Sequence, residues 1–464
     1  MTDIVVAERP TPGTPRPYEF PPFERHILDN GLSLLVVDLP ARELISALLV
    51  IRSGAVDEEP ADAGATVLAA RALAEGTQRY SAIELVEATE RLGASLHAEA
   101  SWDGTWAGVD VPAERLGPAL ALVAELVAHP TFPSGEVQRL REERLNDLLQ
   151  ARADTRRRAD EAFAATIYTG ESPYHRPSGG TRETVSRLDP ARLRAAWERG
   201  FDPRRMTLVV AGDLRGIDVL DHARRLFGGL EAAAVVVPLG EIRADSAVGT
   251  AHVRVLQRPG AVQTEIRVGH PGAARRIPDY HAVSVMSTIL GGLFTSRLNL
   301  KLREEKGYTY GAGAGFDLRR GPGPFVARAA VNTDVTVPAL IDLVGELRRI
   351  REAPVTEAEL RAAKDFLIGV FPLRFETAGP VVGALSGLVV HDLPDDELAR
   401  YRPAIEAVSA EAVLAAARAH IDPEHAAVVL VGDVERFGPE LEGAGLGPIV
   451  IERDDPVASE SDEG

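Results

Sequence analysis

Apolar side chains recur along this chain with two alternating periods. LSLLVVDL (32–39) and ISALLVIRSG (45–54) are dense in branched and aliphatic residues and read as strands. TVLAARALAEG (66–76) has the longer helical period and reads as a buried helix, and SLHAEASWDGTWAGVDV (95–111) alternates as a hairpin does. A helix is predicted from Arg115 to Ala128, and a longer one, rich in Arg, Glu and Leu, from Glu136 to about Arg157. The order strand, strand, helix, strand, strand, helix, helix predicts a layered α+β unit, with helices on one face of a mainly antiparallel sheet.

The pattern then occurs a second time. FDPRRMTLVVAGDL (201–214) matches IDPEHAAVVLVGDV (421–434), with Asp202 and Asp422 standing 220 positions apart. LVAEL (122–126) matches LVGEL (343–347), and the following helix starts after Ser134 in one half and Thr356 in the other. A period this long marks a duplicated domain, since solenoid units run about 20–50 residues. The expected domains are 23–232 and 251–450, joined by a linker over 233–250. Residues 1–22 carry a run of prolines from Pro10 to Pro22 and are expected to form an extended, disordered arm. Residues 451–464 are acidic and nearly free of large apolar side chains, which predicts a solvated tail.

Composition narrows the function classes. At 45% hydrophobic and 26% charged residues the chain is globular in type, and no run of 18 apolar residues is present to span a bilayer. The formal charge of −18 argues against nucleic-acid binding, which needs a basic face. The absence of cysteine removes disulfides, thiolate metal sites and a cysteine nucleophile. The first residues lack a basic segment followed by an apolar one, so a cytoplasmic location is the default expectation.

The most informative stretch is GGLFTSRLNLKLREEKGYTYG (291–311). Phe294, Leu298 and Leu302 fall at i, i+4 and i+8 and predict one buried helical stripe, with Arg297, Lys301 and Glu305 outside it on the wet face. Gly307 stands where a helix ends through a left-handed residue, and Tyr308 and Tyr310 would share one face of the next strand. Arg303 and Tyr310 then flank a tight turn, where a guanidinium and a phenol can both donate to a peptide carbonyl. An unremarkable helix-end arginine and a half-buried tyrosine would give the same pattern.

With this segment, the DNGLSLLVV strand, GTRETVSRL and the FDPRRMTLVVAGDL repeat, residues 24–437 resemble the insulinase and pitrilysin type of zinc peptidase, including mitochondrial processing peptidase. The resemblance implies two homologous α+β halves facing each other around a substrate chamber. Active members carry H-x-x-E-H on a helix, two histidines on one face sharing zinc with the glutamate as base, and a third ligand from a later helix. Here the matching positions are Val67, Ala70 and Arg71, and the third ligand falls near Gln150, with Asp147 a lone carboxylate close by. The eleven histidines include no pair three or four apart, so no helical histidine pair replaces the lost one, and Arg71 would repel a dication. No metal is expected on this chain.

Active members also use an arginine and a tyrosine seven residues apart in the second half to hold substrate backbone. Arg303 and Tyr310 match that spacing, with Tyr308 as the alternative phenol and Arg297 as the alternative guanidinium. The strand from His97 to Ala100 matches the edge on which family substrates add as an extra strand. The resemblance therefore implies the noncatalytic, peptide-binding subunit of a heteromeric peptidase, inactive alone, whose H-x-x-E-H partner brings the zinc. The alternatives are an assembly scaffold without peptide binding and a self-sufficient peptidase with displaced ligands.

Overall fold

The continuous Val/Leu/Ala runs at the two matched repeats fold as β6 (Met206–Gly212) and β11 (Ala427–Gly432), each buried along its whole length. Around them the computed structural model, which describes residues 13, 16–232, 242, 244–247 and 252–454, builds two six-stranded sheets. The first runs in the order β1-β2-β6-β3-β5-β4, from β1 (Glu24–Ile27), β2 (Ser33–Asp38), β3 (Leu44–Ile51), β4 (Ser95–Ala100) and β5 (Thr105–Pro112). The second runs β12-β7-β11-β8-β10-β9, from β7 (Val253–Gln257), β8 (Gln263–Pro271), β9 (Ala312–Phe316), β10 (Pro324–Asn332) and β12 (Ile449–Arg453). Five of the six positions correspond strand for strand, counted from the edge formed by β4 and β9. The outer edge does not: the first sheet takes β1 from the N-terminal side, antiparallel to β2, and the second takes β12 from the C-terminal side, parallel to β7. Among the described residues only β2–β6, β7–β11 and β7–β12 pair in parallel, so both sheets are mixed and mainly antiparallel.

The larger first-half helices are α1 (Ala65–Ala72), α2 (Ala82–Arg91), α3 (Leu116–Ala128), α4 (Ser134–Ala153), α5 (Thr155–Ile167), α6 (Pro190–Gly200) and α7 (Val219–Phe227). In the second half they are α8 (Tyr280–Ser287), α9 (Arg297–Asn299, widened into a π-helical stretch Leu300–Glu305), α10 (Thr336–Arg349), α11 (Glu357–Val370), α12 (Ala378–Val390), α13 (Glu397–Ala407), α14 (Ala410–His420) and α15 (Val434–Gly443).

Helices cover both faces of each sheet, where the sequence pattern implied one. Leu34, Leu208 and Val210 pack beneath α1, α3 and α7 in one core. Their alternating neighbours Leu35, Val37, Val209 and Ala211 pack on Val381, Val382, Leu385 and Leu388 of α12, a helix from the other half. The second sheet mirrors this: Val255, Ile266 and Leu430 face its own helices, while Leu256, Val429 and Val431 face Ala159, Ala162, Phe163 and Ile167 of α5. Strands apolar on both faces carry no period-two signal, which is why these runs are continuous in sequence.

The helix expected to run through Arg157 breaks at Asp154. Its carboxylate accepts from the backbone N–H groups of Arg156 (2.9 Å) and Arg157 (3.0 Å), capping α5 and ending α4. That corner sends α5 to the opposite sheet. Arg258 secures it by donating to the carbonyls of Arg152 and Ala153 and to Asp454 (2.8 Å), which also accepts from Arg158 (2.8 Å). The boundary expected at 450 therefore cuts through β12, whose pairing with β7 continues to Arg453. The remainder of the tail, 455–464, lies outside the described residues.

Residues 16–22 of the arm are docked. Tyr18 meets Phe371 edge-on at 6.0 Å, Phe20 meets Phe375 at 5.0 Å, and Arg402 donates to the carbonyls of Arg16 (3.1 Å) and Tyr18 (3.2 Å). Burial of two aromatic rings outweighs the proline content that suggested disorder there. Most of the arm's first 15 residues and most of the linker lie outside the described residues. Asp245 and Ala247 of the linker bond to the backbone of Thr169 (3.1 Å) and Ile167 (2.9 Å).

Candidate functional site

The helix at the zinc-motif position, α1, starts at Gly64, whose φ of 94° and close approach to Gly179 suit only glycine: a Cβ there would lie 2.7 Å from the Gly179 oxygen. Glu58 is buried beneath this end and accepts from the backbone N–H groups of Gly64 (2.9 Å) and Thr66 (2.6 Å), with Arg176 at 3.7 Å. Burial pushes the Glu58 carboxyl up to about 7 against the opposing pull of these donors. The element is thus intact as a scaffold while its ligand positions carry other side chains.

Ala70 is fully buried and Val67 is half-buried, and neither offers a donor atom to a metal. Arg71 donates to Glu143 of α4 at 3.1 Å. Glu143 also accepts from Arg139 (2.6 Å), which in turn holds Glu75 (2.7 Å) and Glu136 (2.8 Å). A chain of guanidinium and carboxylate groups therefore ties α4 to α1. Gln150 is exposed near the end of α4, and Asp147 is claimed by Arg144 and by Arg157 (2.9 Å), which hold its carboxyl low. Among the described residues no group of three or more His, Cys, Asp or Glu side chains is placed to hold a metal ion. The residues present do not fit zinc. Sequence reasoning missed Glu143, although the Arg139/Glu143 spacing of four is visible as a helical ion pair.

β4 is the last strand of its sheet, so one side of its backbone has no strand partner among the described residues. Ser95, His97 and Glu99 are exposed, and α1 lies beside it.

In the second half, Leu298 and Leu302 are fully buried as the stripe requires, but Phe294 precedes the helix and is 60% exposed. The Arg303 guanidinium lies over its ring at 4.2 Å and sits 3.4 Å from Glu304. Arg297, expected on the wet face, is buried at 8% exposure and holds both oxygens of Glu359 on α11 at 2.7 and 3.1 Å. Burial works to raise the Glu359 carboxyl, but that fork and the Thr356 donors together hold it at about 2. Fully committed, Arg297 is no longer a candidate for substrate contact.

Gly307 ends the helix with φ 65°, its N–H bonded to the Arg303 carbonyl (3.0 Å) and the Tyr308 N–H to the Leu302 carbonyl (2.8 Å). β9 begins only at Ala312, so Tyr308 and Tyr310 lie in the connecting loop and do not share a strand face. Tyr308 packs on the core, whereas Tyr310 is 93% exposed. The reason lies in Thr309, whose hydroxyl donates to the Ala330 carbonyl (2.7 Å) and accepts from the Gly311 N–H (3.1 Å). That anchors the loop on β10 and turns its neighbour outward. Buried Asn299 finishes the frame, donating to the Leu293 carbonyl (3.0 Å) and accepting from the Ala312 N–H (2.9 Å). Neither Thr309 nor Asn299 carried a sequence signal.

The first half supplies a comparison. There Gly93, also left-handed at φ 61°, is followed by β4 from Ser95, whereas Gly307 is separated from β9 by Tyr308–Gly311. The second half thus holds a longer connection, and the exposed phenol sits on it.

Two family models match the chain. One, described as Insulinase (Peptidase family M16), covers residues 35–176, and the other, described as Peptidase M16 inactive domain, covers 187–367. An uncharacterized zinc protease of Mycobacterium leprae is 27% identical over 357 residues, which is 76% of this chain and 79% of the relative. The non-peptidase homolog YmxG of Helicobacter pylori is 24% identical over 335 residues, 71% of this chain and 75% of its own length. Among solved structures, a peptidase M16 inactive domain from Pseudomonas fluorescens superposes with a TM-score of 0.82 at 24% identity, covering 89% of this chain and 98% of that one. A protease from Helicobacter pylori gives 0.80 at 19% identity, covering 89% and 100%.

Proposed function

The chain belongs to the insulinase family of peptidases, and we propose that within it this protein is the noncatalytic, substrate-holding subunit of a heteromeric zinc peptidase acting on peptides or unfolded polypeptides. The observation that carries the reading is a contrast between the halves: the zinc-motif helix holds Val67, Ala70 and an ion-paired Arg71, while Tyr310 stands free in solvent a loop away from Arg303. A relic kept only for packing would have no reason to hold a phenol outward on a pinned loop.

In this reading a homologous partner with H-x-x-E-H would hold the zinc, which would supply the hydrolytic chemistry. Arg303 and Tyr310, with Tyr308 in a supporting place, hold substrate backbone across the chamber from that metal and help stabilise the developing negative charge. The open side of β4 adds substrate as an extra strand. No single described helix is long and apolar enough to cross a membrane, and we place the complex in the cytoplasm.

The test is an equimolar mixture of this chain with the H-x-x-E-H relative made by the same cell. The mixture is expected to cleave unfolded peptides while this chain alone does not. Arg303→Ala and Tyr310→Phe should each lower turnover by about 100- to 1000-fold with assembly intact. Unchanged turnover in both variants leaves the scaffold role, and stoichiometric zinc on the purified chain alone would refute the division of labour.

A further inference from the structure

The helix that the second half lends to the first has a second side. α12 presses Val381, Val382 and Leu385 onto the first sheet, while its Pro380 and Ala384 line a cavity of about 330 Å³. The rest of that cavity belongs to the second half and includes Tyr280, Phe371, Phe375 and Tyr401, with Arg275, Arg374 and Glu397. It therefore lies at the seam between the exchanged helix and the body it comes from, a common location for ligand sites. It shares no residue with the Arg303 loop.

Its walls are preorganised. Phe371 and Tyr401 stack at 4.6 Å with an interplanar angle of 13°, and Phe375 meets Phe371 edge-on at 5.0 Å. Tyr18 and Phe20 of the docked arm back the same two phenylalanines. Arg275 lies over the Tyr280 ring at 3.4 Å and spends one N–H on Glu397 (2.8 Å). The Arg374 backbone N–H donates to the Phe371 carbonyl (3.2 Å), while its guanidinium has no hydrogen bond or ion pair among the described residues. Two guanidinium groups against one carboxylate leave the cavity with an unbalanced positive charge beside an aromatic wall.

We propose that this cavity is a binding site for a small aromatic carboxylate of amino-acid size, its ring against Phe371, Phe375 and Tyr401 and its carboxylate on Arg374. The volume suits one ring with a short acidic arm and is too small for a nucleotide or a folded peptide. Because one wall is α12, occupancy ties the second half to the helix that roofs the first sheet. The site thus joins ligand binding to the cohesion of the two halves.

Calorimetric titration of the full chain with phenylacetate, phenylacetamide and acetate tests the assignment. Phenylacetate is expected to bind at least tenfold more tightly than either the uncharged ring or the ringless anion. Arg374→Gln, on an exposed side chain, should remove that tenfold preference for charge, and Ala384→Phe should block all three probes, with the thermal melt reporting that both variants fold. Equal affinity for phenylacetate and phenylacetamide, or unchanged phenylacetate affinity in both variants, overturns the site. Binding that appears only after residues 1–15 are deleted also overturns it, by making the chain's own arm the occupant.

Discussion

The Arg297–Glu359 fork sets a testable value on the anchoring of α9, the segment that carries Arg303. A glutamate ordinarily near 4.5 and held at about 2 in the fold corresponds to roughly 3 kcal/mol of stability at neutral pH. The Glu359 side chain keeps 27% of its exposure, and solvent screening reduces the expected coupling to about 1.5 kcal/mol. Because the folded carboxyl is depressed, this stability is fully present above 4.5 and is lost as pH falls towards 2. The measurement is a double-mutant cycle of Arg297→Met and Glu359→Gln by urea unfolding across that range, with amide exchange of residues 298–305 reporting local opening. Each single variant should cost more than the pair, since either leaves one partner desolvated and unmatched. A coupling energy within about 0.3 kcal/mol of zero at neutral pH, or one that does not fade in acid, refutes the reasoning.

His391, at the end of α12, is lowered to about 4 by burial, with Arg275, Arg320 and Arg52 adding to it and Asp317 opposing. It folds neutral, so stability is full above its ordinary 6.5 and should fall by roughly 2 kcal/mol as pH drops towards 4, a loss that His391→Asn flattens in a pH series of thermal melts. Gly307→Ala meets no atom within 4 Å and should cost only the left-handed backbone penalty, about 1 kcal/mol. Gly291→Ala would place a Cβ 2.0 Å from the Ala314 nitrogen and should cost about 3 kcal/mol or more, so equal melting temperatures for the two variants would contradict the packing described. Phe163→Ala, on the helix lent to the second sheet, should cost about 3–5 kcal/mol and loosen both halves together, read as one shifted unfolding transition.

The strands, the duplication and the Gly307 stop were legible because each rests on local sequence: apolar runs, a repeated segment and a left-handed glycine. The exchange of α5 and α12 was not, since nothing in a helix's own periodicity names the sheet it covers. Asp154 was a visible capping residue, but the helix-forming Arg, Ala and Leu residues on both sides of it masked the corner. Arg297 went wrong for a related reason. A stripe assigns charged residues to solvent, and only the distant Glu359 makes the inward position tolerable. The outward turn of Tyr310 depends on Thr309 reaching Ala330 across the sheet, a contact between residues 21 apart.

The mutual loan of helices also bears on how such a chain is made and where it came from. As the polypeptide emerges, the first sheet is complete once β6 has been synthesised, yet the apolar back formed by Leu35, Val37, Val209 and Ala211 waits for residues 378–390. For that interval the nascent protein carries an uncovered sticky surface, which makes it a client for chaperones and an unsafe place to pause translation. The same geometry is what two identical half-length ancestors would have formed by swapping arms as a dimer. Fusing their genes would fix the swap within one chain, and thereafter each half could lose residues the other no longer required.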